Sequence, residues 1–87
     1  MSLQYLLPVK SENILIYEGT QKLIDSKGLM ARLRVVSGTS YVTGEHDTVT
    51  STSYNLNPGE TIDFVGKLKA ISATGGCTVR VLYFDAV

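Results

Sequence analysis

Hydrophobic and polar positions alternate along most of this chain with a period near two, and turn residues interrupt the alternation at short intervals. Residues 29–36 show it best. Leu29, Ala31, Leu33 and Val35 fall on one side, and Met30, Arg32, Arg34 and Val36 on the other. Successive side chains of a strand point to opposite faces, so this segment predicts a strand with one core face and one partly charged face. Cys77 to Phe84 repeats the pattern, with Val79, Val81 and Tyr83 opposite Arg80, Leu82 and Phe84. Shorter strands are predicted over Asn13 to Tyr17, Thr61 to Val65 and Lys67 to Ala73. Gly19, Gly66 and the pair Gly75-Gly76 provide the breaks between them.

Asn57-Pro58-Gly59-Glu60 is a turn signature, because proline presets φ at the second position and glycine accepts a positive φ at the third. The Ser/Thr-rich stretch Ser37 to Ser53 is β-prone but poor in apolar area. It predicts strands near a sheet edge, or a polar hairpin around Gly44-Glu45-His46-Asp47. A helix over residues 20–34 would carry Gly28 in its middle at about 1 kcal/mol relative to alanine. A hairpin through Asp25-Ser26-Lys27-Gly28 fits the alternation better. The expected fold is therefore all-β: one small β-sandwich, jelly-roll-like, or a small barrel, of about 7–9 short antiparallel strands.

With 87 residues the chain is one domain, 1–87. A domain of this size buries on the order of 60–65% of its surface, and small domains often gain stability from a disulfide, a metal or a partner subunit. Cys77 is the only cysteine and His46 the only histidine, so neither an intrachain disulfide nor a four-ligand zinc site can be assembled. Association with other copies is the route left. Eight basic residues balance eight acidic ones, which argues against nucleic acid as a partner, since phosphate binding draws on a basic excess. No stretch approaches the roughly 20 apolar residues of a membrane span, and the apolar Leu3 to Val9 is too short for a signal-peptide core. The expectation is a soluble cytoplasmic protein.

Candidate chemistry is sparse. His46 lies between Glu45 and Asp47, but neighbours in a turn diverge, so the trio reads as a solvated loop tip. A Ser-His-Asp set from Ser40, His46 and Asp47 lacks the nucleophile elbow that would position it. Cys77 reads as a half-buried structural thiol. Gly75-Gly76 and Gly59 lack the helix N-terminus that a phosphate loop requires. Neither a cofactor nor a catalytic site is expected. The most informative residues are Arg32 and Arg34, Lys67 and Lys69, and Arg80. Within each pair a spacing of two sends both side chains from the same face. If these strands are neighbours they form a basic stripe that would meet an acidic partner or a phosphate backbone. The competing reading is a solvated sheet face whose long stems cover apolar surface. Tyr41 and Tyr54, in the polar region, are further interface candidates, since tyrosine joins area to a hydrogen bond.

The polar Ser/Thr-Gly segments are followed by Asn57-Pro58-Gly59-Glu60-Thr61-Ile62-Asp63-Phe64, a glycine-broken hairpin, and a final Val79-Arg80-Val81-Leu82-Tyr83-Phe84 strand. Over residues 37–87 this arrangement resembles the small β-sandwich accessory proteins of tailed bacteriophages, the head-decoration and tail-associated subunits. The resemblance implies a non-enzymatic structural protein acting through contacts with protein subunits, itself and other virion components, and located in the virion. It also implies that residues 1–12 can serve as an N-terminal arm reaching a neighbour through Leu3, Tyr5, Leu6 and Leu7. A homo-oligomer, for instance a trimer, is expected. The alternative is a module binding a carbohydrate or other small ligand through the Ser/Thr-rich loops and Tyr41 or Tyr54.

Overall fold

The computed structural model describes residues 6–50, 53–73 and 75–86. The chain runs through β1 (Leu6–Ile16), β2 (Gln21–Asp25), β3 (Met30–Ser37), β4 (Ser40–Gly44), β5 (Tyr54–Leu56), β6 (Thr61–Phe64), β7 (Lys67–Ser72) and β8 (Cys77–Ala86). They form two four-stranded antiparallel sheets, in the orders β1-β8-β3-β6 and β2-β7-β4-β5. This is a jelly-roll arrangement, two facing sheets between which the chain repeatedly changes layer.

The alternation read from the sequence is the alternation that builds the core. Ala31, Leu33 and Val35 of β3 and Val79 and Val81 of β8 point inward from the first sheet. They meet Ile24, Val42, Leu56, Leu68 and Ala70 of the second. Arg32, Arg34 and Arg80 sit at the intervening positions and are exposed. Each strand therefore contributes one row to the interior and one to solvent, as the period of two demands.

The connections differ from those expected. Only β4 and β5 are consecutive in the chain and adjacent in a sheet; every other link crosses between sheets. The segment Asp25 to Gly28, expected as a hairpin, is one of these crossings, since β2 pairs with β7 and β3 with β8 and β6. The segment after β6, also expected as a hairpin, carries β7 and β8 into different sheets. A hairpin and a crossing use the same turn residues. Here Lys27 (φ 54) and Gly28 (φ 81) supply the left-handed backbone.

The corner is fixed from inside. Ser26 is fully buried; its backbone N–H donates to the Gly66 carbonyl (2.8 Å), and its Oγ accepts from the Gly66 N–H (2.8 Å). These two bonds tie the β2–β3 corner to the β6–β7 corner. Ser26→Ala leaves the Gly66 donor without its acceptor and is expected to cost about 1–3 kcal/mol in urea denaturation. A change within a few tenths would show that the two corners are not coupled.

Two further expectations meet the structure here. The Asn57-to-Glu60 turn forms as read: the Glu60 N–H donates to the Asn57 carbonyl (3.0 Å) and Gly59 has φ +90. Of the segment expected as an arm, residues 6–12 belong to the sandwich. They pair with β8 from Leu6 opposite Ala86 to Glu12 opposite Val81, with a bulge between Pro8 and Lys10. The remainder, residues 1–5, lies outside the described residues.

Candidate functional site

Three of the five expected basic residues come together. Arg34 of β3 stands directly opposite Arg80 of β8, and Arg32 stands opposite Leu82 on β8 and Asp63 on β6. Arg32 makes a forked pair with Asp63, Nε to Oδ1 at 2.7 Å and an Nη to Oδ2 at 3.1 Å. The guanidinium lowers the Asp63 pKa, first through the hydrogen bond, and the carboxylate raises that of Arg32 for the same reason. Arg80 Nε donates to Asn13 Oδ1 (3.0 Å). Between Arg32, Arg34 and Arg80, over Leu82 and flanked by Ser11 and Thr61, lies a shallow groove of about 260 Å³.

Lys67 and Lys69 do not join this face. They lie on β7, in the other sheet, so a continuous basic stripe does not form. Lys67 Nζ lies 3.4 Å from Glu45, and Lys69 Nζ donates to the Asp47 carbonyl at 2.9 Å. Both are engaged with the β4–β5 loop. The sequence spacing placed each pair correctly on one face of its strand, but it carried no information about which strands share a sheet.

The second concave feature is a cleft of about 510 Å³ between the open edges of the two sheets, β1 on one side and β2 on the other. Its floor is Ile14, Ile24, Leu29 and Tyr83, and Lys10, Glu12, Lys22 and Lys27 stand around it. Tyr83 Oη donates to Glu12 Oε1 at 2.5 Å, and the Lys10 ammonium lies 5.6 Å from the centre of the Tyr83 ring. Neither Glu12 nor Tyr83 stood out in the sequence, being 71 positions apart. One signal was present: Glu12 shares its face with Ile14 and Ile16, so a charge was being carried on a core-facing row.

Burial, and then the Glu12 carboxylate, raise the Tyr83 phenol well above its ordinary range. A raised folded-state pKa adds stability that is complete below the unfolded value, near 10, and lost as pH rises through the folded value. The phenolic absorbance of Tyr83 should therefore remain that of the protonated form at about pH 11, where a free phenol is mostly ionised. Resistance to urea should fall between about pH 10 and 12. Glu12→Gln should bring the titration down; an unchanged titration would remove the carboxylate as a cause.

The other sequence candidates resolve separately. The His46 side chain is 93% exposed and lies 3.4 Å from Glu45. Among the described residues no group of three His, Cys, Asp or Glu side chains could hold a metal ion. Cys77 is buried at the start of β8, and its thiol pKa is raised by desolvation, partly offset by hydrogen bonds with Ser72 and Ser40. Tyr41 is half-buried on β4 and Tyr54 exposed at the start of β5. Neither lines the cleft between β1 and β2.

The cupin domain of an XRE-family transcriptional regulator from Enterobacter cloacae superposes with a TM-score of 0.68 at 13% identity, covering 92% of this chain and 94% of that one. The chain has the double-stranded β-helix fold. A de novo designed double-stranded β-helix matches with a TM-score of 0.66 at 15% identity, over 88% of this chain and all of that one. A protein from Ralstonia eutropha assigned as a mannose-6-phosphate isomerase matches at 0.60 and 14% identity, over 98% and 87% of the two chains. No protein-family model matches the sequence, and no curated protein is significantly similar to it. Likeness at these identities establishes the fold alone.

Proposed function

We propose that the chain is a non-enzymatic assembly subunit that associates with its own copies through the free edge of β1. The observation that carries this reading is the inequality of the four sheet edges. β6, β2 and β5 expose edges of four, five and three residues, whereas β1 exposes one of 11. Short edges are a common protection against unwanted pairing, as are proline, lysine and bulges. The first part of β1 has Pro8, Lys10 and the bulge between them. From Asn13 onward the edge is unblunted, and apolar side chains stand open to water at its end, Leu15 at 57% exposed and Tyr17, the residue after the strand, at 67%.

Pairing this stretch with its own copy, antiparallel about a two-fold axis, would join two sheets into one of eight strands. Backbone hydrogen bonds would supply affinity, and Leu15 and Tyr17 the buried area. That geometry makes a dimer, a homo-oligomer as expected from sequence, though not the trimer given there as an example. Wild-type protein should have twice the 9.4 kDa chain mass by light scattering. A variant with Leu15→Glu and Tyr17→Glu should have the mass of one chain with unchanged circular dichroism. A monomeric wild type, or an unaffected variant mass, would overturn the proposal. The more specific role of phage virion accessory subunit is proposed on the resemblance of residues 37–87. The cupin-domain and designed neighbours supply fold support only.

A second reading, a module for a small ligand, is favoured by the cleft between β1 and β2, where an apolar floor is ringed by ammonium and carboxylate groups.

A further inference from the structure

We infer that the outer face of the first sheet docks an extended acidic segment of another protein, with Arg34 and Arg80 as the residues that grip its carboxylates. Direct opposition of Arg34 and Arg80 sets their Cβ atoms about 4.5–5.5 Å apart, a placement of like charges that costs stability in the free protein. Among the described residues no acidic side chain pairs with either. Asp63 is the acidic side chain of the row beside them, and both its oxygens are taken by Arg32. Arg80 is held in place through Nε by Asn13, which leaves its terminal amino groups available. Among the described residues Arg34 makes no hydrogen bond or ion pair. A bound carboxylate would relieve the repulsion and accept from both forks at once, the geometry in which arginine binds most selectively.

The surroundings specify the rest of the partner. The groove between the three arginines is floored by Leu82, and Val36 lies exposed on the same face. A segment alternating acidic and apolar side chains matches this row-by-row arrangement. A second copy placed face to face would set arginines on arginines, so the occupant is a different surface. Nucleic acid fits less well. Useful phosphate affinity draws on several contacts, and this face leaves two guanidinium groups unpaired in a protein of zero formal charge.

The test uses an extended, fluorescein-labelled peptide of alternating glutamate and valine, with an oligothymidine of equal charge as the comparison, both read by anisotropy on the intact protein. Wild type is expected to bind the peptide more tightly than the oligothymidine. Arg34→Glu and Arg80→Glu should each weaken peptide binding by about tenfold or more. Replacing both by lysine, which keeps charge but loses the fork, should also weaken it. Both arginines are exposed, so thermal midpoints should not fall, and Arg34→Glu should raise the midpoint by pairing with Arg80. Light-scattering masses of these variants should equal that of wild type, which separates this site from the β1 contact. No peptide binding by wild type, binding by Arg34→Glu and Arg80→Glu equal to that of wild type, or tighter binding of the oligothymidine would overturn the inference.

Discussion

Gly38→Ala should lower the unfolding free energy by roughly 2–5 kcal/mol, a large part of what an 87-residue domain has. Two independent effects add at this position. Gly38 has φ +78, where a non-glycine residue costs about 1–2 kcal/mol. A Cβ would also stand 2.8 Å from the Gly76 carbonyl oxygen and 2.8 Å from the Cys77 Cβ, closer than such atoms approach. Backbone cannot swing aside as a side-chain tip would, so the β3–β4 and β7–β8 corners must separate, at an overpacking cost of about 1–3 kcal/mol. Gly28→Ala is the control. Its φ of +81 is nearly the same, but a Cβ there meets nothing within 4 Å, so only the backbone cost of about 1–2 kcal/mol applies. Urea denaturation of both variants checks the difference; equal losses would mean that the corner contact contributes nothing.

Leu33→Ala should cost about 2–5 kcal/mol, the range for truncating a fully buried leucine. Leu33 has no exposed surface and occupies the centre of β3, with Val81 of β8 on one side and Ile62 of β6 on the other. The deleted atoms leave a void between two close-packed sheets, and neighbours held by ladder hydrogen bonds on both flanks can close it only in part. Val36→Ala, at an exposed position of the same strand, should change stability by no more than about 0.5 kcal/mol. Comparable losses at the two sites would contradict the assignment of inner and outer faces.

Those faces were legible in the sequence because a period of two is a local property. Ala31, Leu33 and Val35 against Arg32 and Arg34 can be sorted without knowing what lies opposite. The same holds for Val79 and Val81 against Arg80, and for the Asn57-to-Glu60 turn. Sheet membership was not legible. In this fold a strand's partners come mostly from elsewhere in the chain, as when β1 pairs with β8 across some 70 residues. That is why Lys67 and Lys69 fell away from the arginines, and why Asp25 to Gly28 passed for a hairpin. It also hid the contact of Glu12 with Tyr83 and the cross-strand meeting of Arg34 with Arg80, both created by pairing at long range. The edge status of β1 was hidden for the same reason.

Assembly through β1 requires that edge to be covered in solution. Amide hydrogen exchange across residues 11–17, followed at high and low protein concentration, tests this most directly. If β1 pairs with its own copy, the amides directed away from β8 should exchange slowly in concentrated protein and rapidly on dilution, while those bonded to β8 stay slow throughout. Rapid exchange of the outward amides at every concentration would show the edge to be open, and the assembly proposed through it would be wrong.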